Sequence, residues 1–311
     1  MKTAAPQVDG PKKQIQDNTD WRMCKVDRDI ELAESLLGGP RFRAYLDYAS
    51  GNSGLSDPDD VGRLALELYR WNVRMSSVVM GYVSYVEVLV RNAIDARLCE
   101  WIRRQSVSGY ADWIDVHGLD PLGRIRRLVN GDGMDHLAEA MQDALRKQRQ
   151  WKADSSHPRH DDRVNRDDVF TQLSFGAWDG MLRHADGDPE LADVLMSAFP
   201  NIEAAWAVEQ ARMPRAVLPG NPSDSSQRRL RLELVCRLRR IRKVRNRAGH
   251  QENLLRVEFP TLRRDMFFVL SALGPECLHW ALPDRALALK EADPMKLVVD
   301  FKAGRQTRKE I

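Results

Sequence analysis

Apolar residues recur at helical spacing along most of this chain, and no stretch alternates apolar and polar β-branched residues as a half-buried strand would. DIELAESLLG (29–38) has an aspartate start, apolar spacing and a glycine stop, and RFRAYLDYA (41–49) predicts a second short helix after Pro40. GNSGLSDPDD predicts a loop. From Asp59 to about Arg104 there is no proline and the apolar residues keep helical spacing, which predicts one very long helix, or two broken near Gly81. Residues 105–133 are turn-rich around a short basic helix, GRIRRLV, and DHLAEAMQDALRKQRQW (135–151) predicts an amphipathic helix.

After the polar loop KADSSHPRHDDRVNRDD, three segments are apolar enough to pack as helices: VFTQLSFGAWDGMLRH, ELADVLMSAFP and IEAAWAVEQARM. VLPGNPSDSS is a further loop, residues 227–250 predict a second long helix, and TLRRDMFFVLSALG and ECLHWALPDRALAL supply the last helices. With no internal repeat, the class expected is all-α. Residues 1–28 are expected to be a disordered tail and 296–311 a polar one.

Composition changes this picture little. The chain has 311 residues, enough for one large or two small domains, and 43% hydrophobic content can bury a core. Charged residues make up 30%, yet the net charge is +3, so basic character matters only where it is concentrated. Cys24, Cys99, Cys236 and Cys277 form no CxxC pair, which argues against a disulfide framework or a zinc ribbon and for reduced thiols. The N-terminus has no apolar core of signal-peptide length and no later run is uncharged over a membrane-spanning length, so a soluble cytoplasmic chain is expected.

The basic residues concentrate in QRRLRLELVCRLRRIRKVRNRAGH (227–250). Leu230, Leu234, Leu238 and Ile241 make a buried stripe. Arg228, Arg229, Arg231, Arg237, Arg239, Arg240, Arg242, Lys243, Arg245 and Arg247 stand against a single acid, Glu233. These residues are expected to form a dense basic surface suited to a phosphate backbone, against the simpler reading of a solvated charged face.

At its end stands Arg245-Asn246-x3-His250. A histidine can move the 2′-hydroxyl proton of RNA, an arginine can hold the charge building on the phosphorane, and an amide can orient either. On a straight helix Arg245 and His250 lie about 140° apart, whereas Asn246 and His250 are nearly in line. A helix loosened or ended at Gly249 would relieve that separation. Other candidates are weaker. His157, His160, Asp161 and Asp162 read as a polar loop rather than a metal site; Cys277 and His279, and Trp71, Trp101, Trp113 and Trp178, read as core. No HExxH, GxSxG, GxGxxG or P-loop occurs.

RKVRNRAGHQE resembles the R-x4–6-H signature of the HEPN superfamily, including a polar residue directly after the arginine. Three further stretches resemble the Abi-like (abortive infection, AbiD/AbiF-type) branch: residues 68–98, with a long helix ending in E-x3-R-N; FTQLSFGAWDGML (170–182), with L-T-F-G-x-W; and RFRAYLDYASGN, with R-x3-Y. They stand in family order over most of residues 41–255. The branch usually reads R-x-x-H-H-E, and here Gln251 replaces the second histidine and Gly249 an alanine.

The resemblance implies a HEPN-type helical bundle: N-terminal helices over 29–104, a helical insertion over 105–226, and C-terminal helices over 227–295. It implies a metal-independent endoribonuclease without cofactor, acting as an abortive-infection or toxin-type phage-defence protein. Arg245, Asn246 and His250 would be its catalytic residues, with Glu87, Arg91 and Asn92 on the helix lining the site. Arg237, Arg239, Arg240, Arg242, Lys243 and Arg247 would bind RNA. A homodimer would bring two motifs together, and an antitoxin or small RNA would restrain the activity. The alternative is a noncatalytic HEPN module that uses the same basic helix to hold RNA or to dock a partner.

Overall fold

A computed structural model describes residues 28–105, 112–114, 122–131 and 133–309, and all regular secondary structure among them is helical. The elements are α1 (28–37), α2 (Gly39–Ser53), α3 (Pro58–Arg104), α4 (Leu122–Val129), α5 (His136–Ala153), α6 (Arg166–Phe170), α7 (Phe175–His184), α8 (Pro189–Met196), α9 (Ile202–Arg212), α10 (Ser226–Gly249), α11 (Phe259–Leu273), α12 (Pro275–Ala281), α13 (Leu287–Lys290) and α14 (Pro294–Lys309). The all-α class read from the sequence is therefore the class of the fold. The tail expected over 1–28 lies outside the described residues except for Arg28, which begins α1.

Two compact units make up the described chain. The smaller comprises 28–76, 251–256 and 292–309. Its core is built from Phe42, Tyr45 and Ala49 of α2 and Leu64 and Leu68 of α3, with Tyr45 and Tyr69 edge to face at 5.5 Å. Asn72, buried, receives the Leu254 N–H on Oδ1 at 2.6 Å and donates Nδ2 to the Glu252 carbonyl at 3.2 Å, so one side chain satisfies the backbone of an irregular segment. Residues 296–311, expected as a polar tail, are instead largely helix: α14 packs on α2 through a stripe opened by Pro294 and Val298, one helical turn apart.

The larger unit comprises 77–250 and 257–291. Here α3 buries Val79, Val83, Val86, Val90, Ile94 and Leu98, a stripe at steps of three and four. α10 packs on α7 and α11, and α11 in turn on α9 and α12. Residues 105–226, expected as an insertion, thus share a unit with α10, and their α7 and α9 lie directly on α10 and α11.

Several element boundaries moved. α3 runs unbroken through Gly81, because the apolar stripe continues on both sides and nothing crowds the glycine. α2 extends through Ser53, which shortens the expected loop to residues 54–57. VFTQLSFGAWDGMLRH is two helices: α6 starts on an Asn165/Asp168 capping box, and the chain turns at 171–174 before Ser174 opens α7. One window of α3 has a mean hydropathy of 1.3 and by length and composition could cross a membrane, which the sequence reading had not expected of any segment.

Candidate active site

α10 begins with Ser225, whose side chain accepts from the Arg228 N–H, and runs through Gly249. Gly249 is its last residue and His250 its C-cap. The His250 N–H still bonds the Asn246 carbonyl at 2.9 Å, and the residue after this cap, Gln251, is left-handed with φ 54°. The space beside Gly249 holds only the Met80 sulfur, 4.0 Å from where a Cβ would sit. An alanine would fit there.

Because the helix stays regular to this point, Arg245 and His250 keep their separation of about 140°. Arg245 turns toward α3: Nη2 lies 3.5 Å from Glu87 Oε2, and Nη1 donates to Asn246 Oδ1 at 3.3 Å. The Glu87 carboxylate is only 17% exposed, against 37% for Arg245, so the pair sits at the edge of the core with the guanidinium still reachable from solvent. Arg245 Nε is buried with no hydrogen-bond partner. The His250 imidazole is exposed and makes no hydrogen bond or ion pair among the described residues. One chain therefore brings Arg245, Asn246 and Glu87 together and leaves His250 apart.

The other two residues expected to line the site part company. Glu87 does not pair with Arg91 one turn on; Arg91 lies 5.4 Å over the Phe170 ring, with Nε buried and unbonded. Asn92 faces solvent. Phe170 belongs to an aromatic cluster with Trp178 and Trp113, at 5.4 and 5.9 Å between ring centroids, so those tryptophans, like Trp71 and Trp101, are core.

The dense basic surface expected of α10 is reduced by the structure, which pairs or buries several of its cations. Arg237 is buried, donates Nε to Glu233 at 2.6 Å, and meets Glu209 at 3.0 Å and Asp265 at 3.7 Å, so it is in no position to meet a phosphate backbone. Arg240 makes a two-pronged pair with Asp265 at 2.7 and 2.8 Å, and this contact raises its pKa above the ordinary arginine range. Arg242 reaches the buried Asp179 at 3.0 Å; its guanidinium lies 2.7 Å from where a Cβ on Gly176 would stand, so a methyl there would push it away. Burial raises the Asp179 pKa, and Arg242 is the first of the cations that oppose that rise. Arg231, buried, pairs with Asp186, as does Arg228 at 2.9 Å, while Arg229 donates to the Leu218 carbonyl at 2.9 Å. Arg239 and Lys243 are the two cations of the expected RNA-binding set that are exposed and make no hydrogen bond or ion pair among the described residues, and Arg247 is half-buried.

Sequence reasoning missed the acids Asp179, Asp186, Glu209 and Asp265, all of which come from other elements. Their only signal was an Asp or Glu beside an apolar stripe, as in GAWDGML and RRDMFF. Elsewhere, His157 stacks on Trp151 at 5.9 Å and Arg159 ties the same loop to Asp168 at 2.7 Å. Among the described residues no group of three His, Cys, Asp or Glu is placed to hold a metal. Comparison with protein-family models, with curated proteins and with solved structures gives no match for this chain.

Proposed function

We propose that the chain is a metal-independent endoribonuclease of the HEPN type, Abi-like, acting in the cytoplasm as an abortive-infection or toxin-type phage-defence protein. The observation that carries the reading is Arg245, held by Glu87 and Asn246 at the solvent-facing end of α10, five residues before an exposed histidine. In this reading His250 takes the proton from a ribose 2′-hydroxyl, and the 2′-oxygen attacks the adjacent phosphorus. The 5′-oxygen leaves and is protonated, and a 2′,3′-cyclic phosphate remains. Arg245 stabilises the phosphorane charge, exchanging its Glu87 partner for phosphate oxygens. Arg239 and Lys243, with Arg247, draw the RNA strand along the helix.

Since Arg245 and His250 of one chain diverge, a second copy supplies the missing partner. A two-fold axis beside the motif would place two arginines and two histidines around one phosphate. A cognate antitoxin or small RNA is the matching restraint.

Purified protein should cut RNA in excess EDTA and leave cyclic phosphate ends. His250→Ala and Arg245→Ala should each lower the rate by about 100-fold or more without loss of fold. Mixing the two inactive variants should restore part of the activity by forming heterodimers. Cleavage that stops in EDTA and returns with magnesium overturns the mechanism; RNA binding without cleavage leaves the noncatalytic RNA-binding module.

A further inference from the structure

A cavity of about 250 Å³ lies between α9, α11 and α12, and its chemistry is unlike that of the motif. Part of its wall is apolar, with Val208, Phe267, Phe268 and Leu278. The two phenyl rings carry guanidinium groups, Arg263 at 4.3 Å from the Phe267 centroid and Arg237 at 4.1 Å from that of Phe268, and both phenylalanines also line the cavity.

Arg212, Arg264 and Arg285 line it as well. Arg212 and Arg285 are exposed and form no ion pair among the described residues. Their charge is felt nearby: burial, then the charges of Arg285 and Arg212, hold the Arg263 pKa below the ordinary arginine range. Glu209 provides the contrasting group. It is 4% exposed, and Oε2 accepts from Arg237 Nη1 at 3.0 Å, but Oε1 is buried with no hydrogen-bond donor. Arg264 Nε lies 3.7 Å from Oε1 and itself lacks a hydrogen-bond partner. A ligand donor placed there would supply the hydrogen bond that Oε1 lacks.

We propose that this cavity binds a small aromatic carboxylate bearing a hydrogen-bond donor at the end remote from its carboxylate. The ring packs on Phe267 and Phe268, the donor reaches Oε1 of Glu209 by displacing the partly exposed Arg264 side chain beside it, and the carboxylate lies between Arg212 and Arg285. A small bare anion leaves the apolar part of the wall uncovered, and a neutral apolar molecule leaves Arg212 and Arg285 without a counterion. The proposal is independent of the ribonuclease reading.

Calorimetric titration of the full chain with 3-(4-hydroxyphenyl)propionate, 3-phenylpropionate and acetate tests it. The hydroxylated compound should bind, the phenyl compound at least about fivefold more weakly, and acetate not measurably at the same concentrations. Arg212→Gln with Arg285→Gln, both on exposed side chains, should weaken binding about tenfold or more at an unchanged melting temperature. Ala204→Trp, placed on the cavity wall, should abolish binding by filling it. No binding of the hydroxylated compound, equal binding of either control, or retention of affinity in either variant overturns the proposal.

Discussion

Gln251 takes φ 54°, a left-handed conformation that costs an L-residue with a Cβ about 1–2 kcal/mol and a glycine almost nothing. It follows His250, the cap of α10, at the position where helices most often place glycine. Gln251→Gly should therefore stabilise the protein by about 1 kcal/mol, read as a higher urea midpoint at unchanged slope; a lower midpoint would show that the glutamine side chain contributes more than its backbone costs. At this scale the sequence was legible where the information is local. The spacing of Arg245, Asn246 and His250 was open to reading, and the 227–250 helix read there ends one residue earlier, at Gly249. The Glu87–Arg245 pair had no local signal, because the two residues meet only through the packing of α3 beside α10.

α10 shows how a charged helix can be misread when its own sequence is the only guide. Of its ten cations against Glu233, most are answered by acids on other elements: Asp186 for Arg228 and Arg231, Glu209 and Asp265 for Arg237, Asp265 for Arg240, Asp179 for Arg242 and Glu87 for Arg245. The apolar stripe at 230, 234, 238 and 241 was readable because periodicity is a property of the helix itself, whereas ion pairing depends on tertiary neighbours. Two kinds of arginine follow. Arg237→Gln strips a buried cation from Glu209 and Asp265 and should cost about 3–5 kcal/mol of stability in chemical denaturation. Arg239→Gln with Lys243→Gln should change stability by less than about 1 kcal/mol and, in a nitrocellulose filter assay, lower RNA affinity and flatten its salt dependence by about one to two units. A destabilised Arg239/Lys243 variant, or an unchanged salt slope, would place the RNA contact elsewhere.

Over the whole molecule, paired carboxylates set the response to acid. Asp186 is held below its ordinary pKa first by hydrogen bonds from Arg228, Asp188 by Arg124, Asp168 by Arg159 and Glu190 by Trp101 and then Arg124. A carboxylate depressed in the folded state contributes stability above its unfolded pKa, and that stability disappears as pH falls through the folded value. Asp179, raised by burial, acts in the opposite sense, favouring the fold when protonated and losing that contribution as pH rises through its folded pKa. With more groups depressed than raised, the melting temperature should drop as pH falls below about 4, and Asp186→Asn should make that drop shallower. A melting temperature flat between about pH 5 and 3 would show that these pairs contribute nothing.

The same pairs have an order in time. During synthesis from the N-terminus, Glu87, Asp179, Asp186, Glu209 and Asp224 leave the ribosome before the arginines they meet on α10, and Asp265 alone of those tertiary partners follows. The most basic segment of the chain thus emerges after most of its counterions have been made. Arg240, answered only by Asp265, waits for the chain to lengthen.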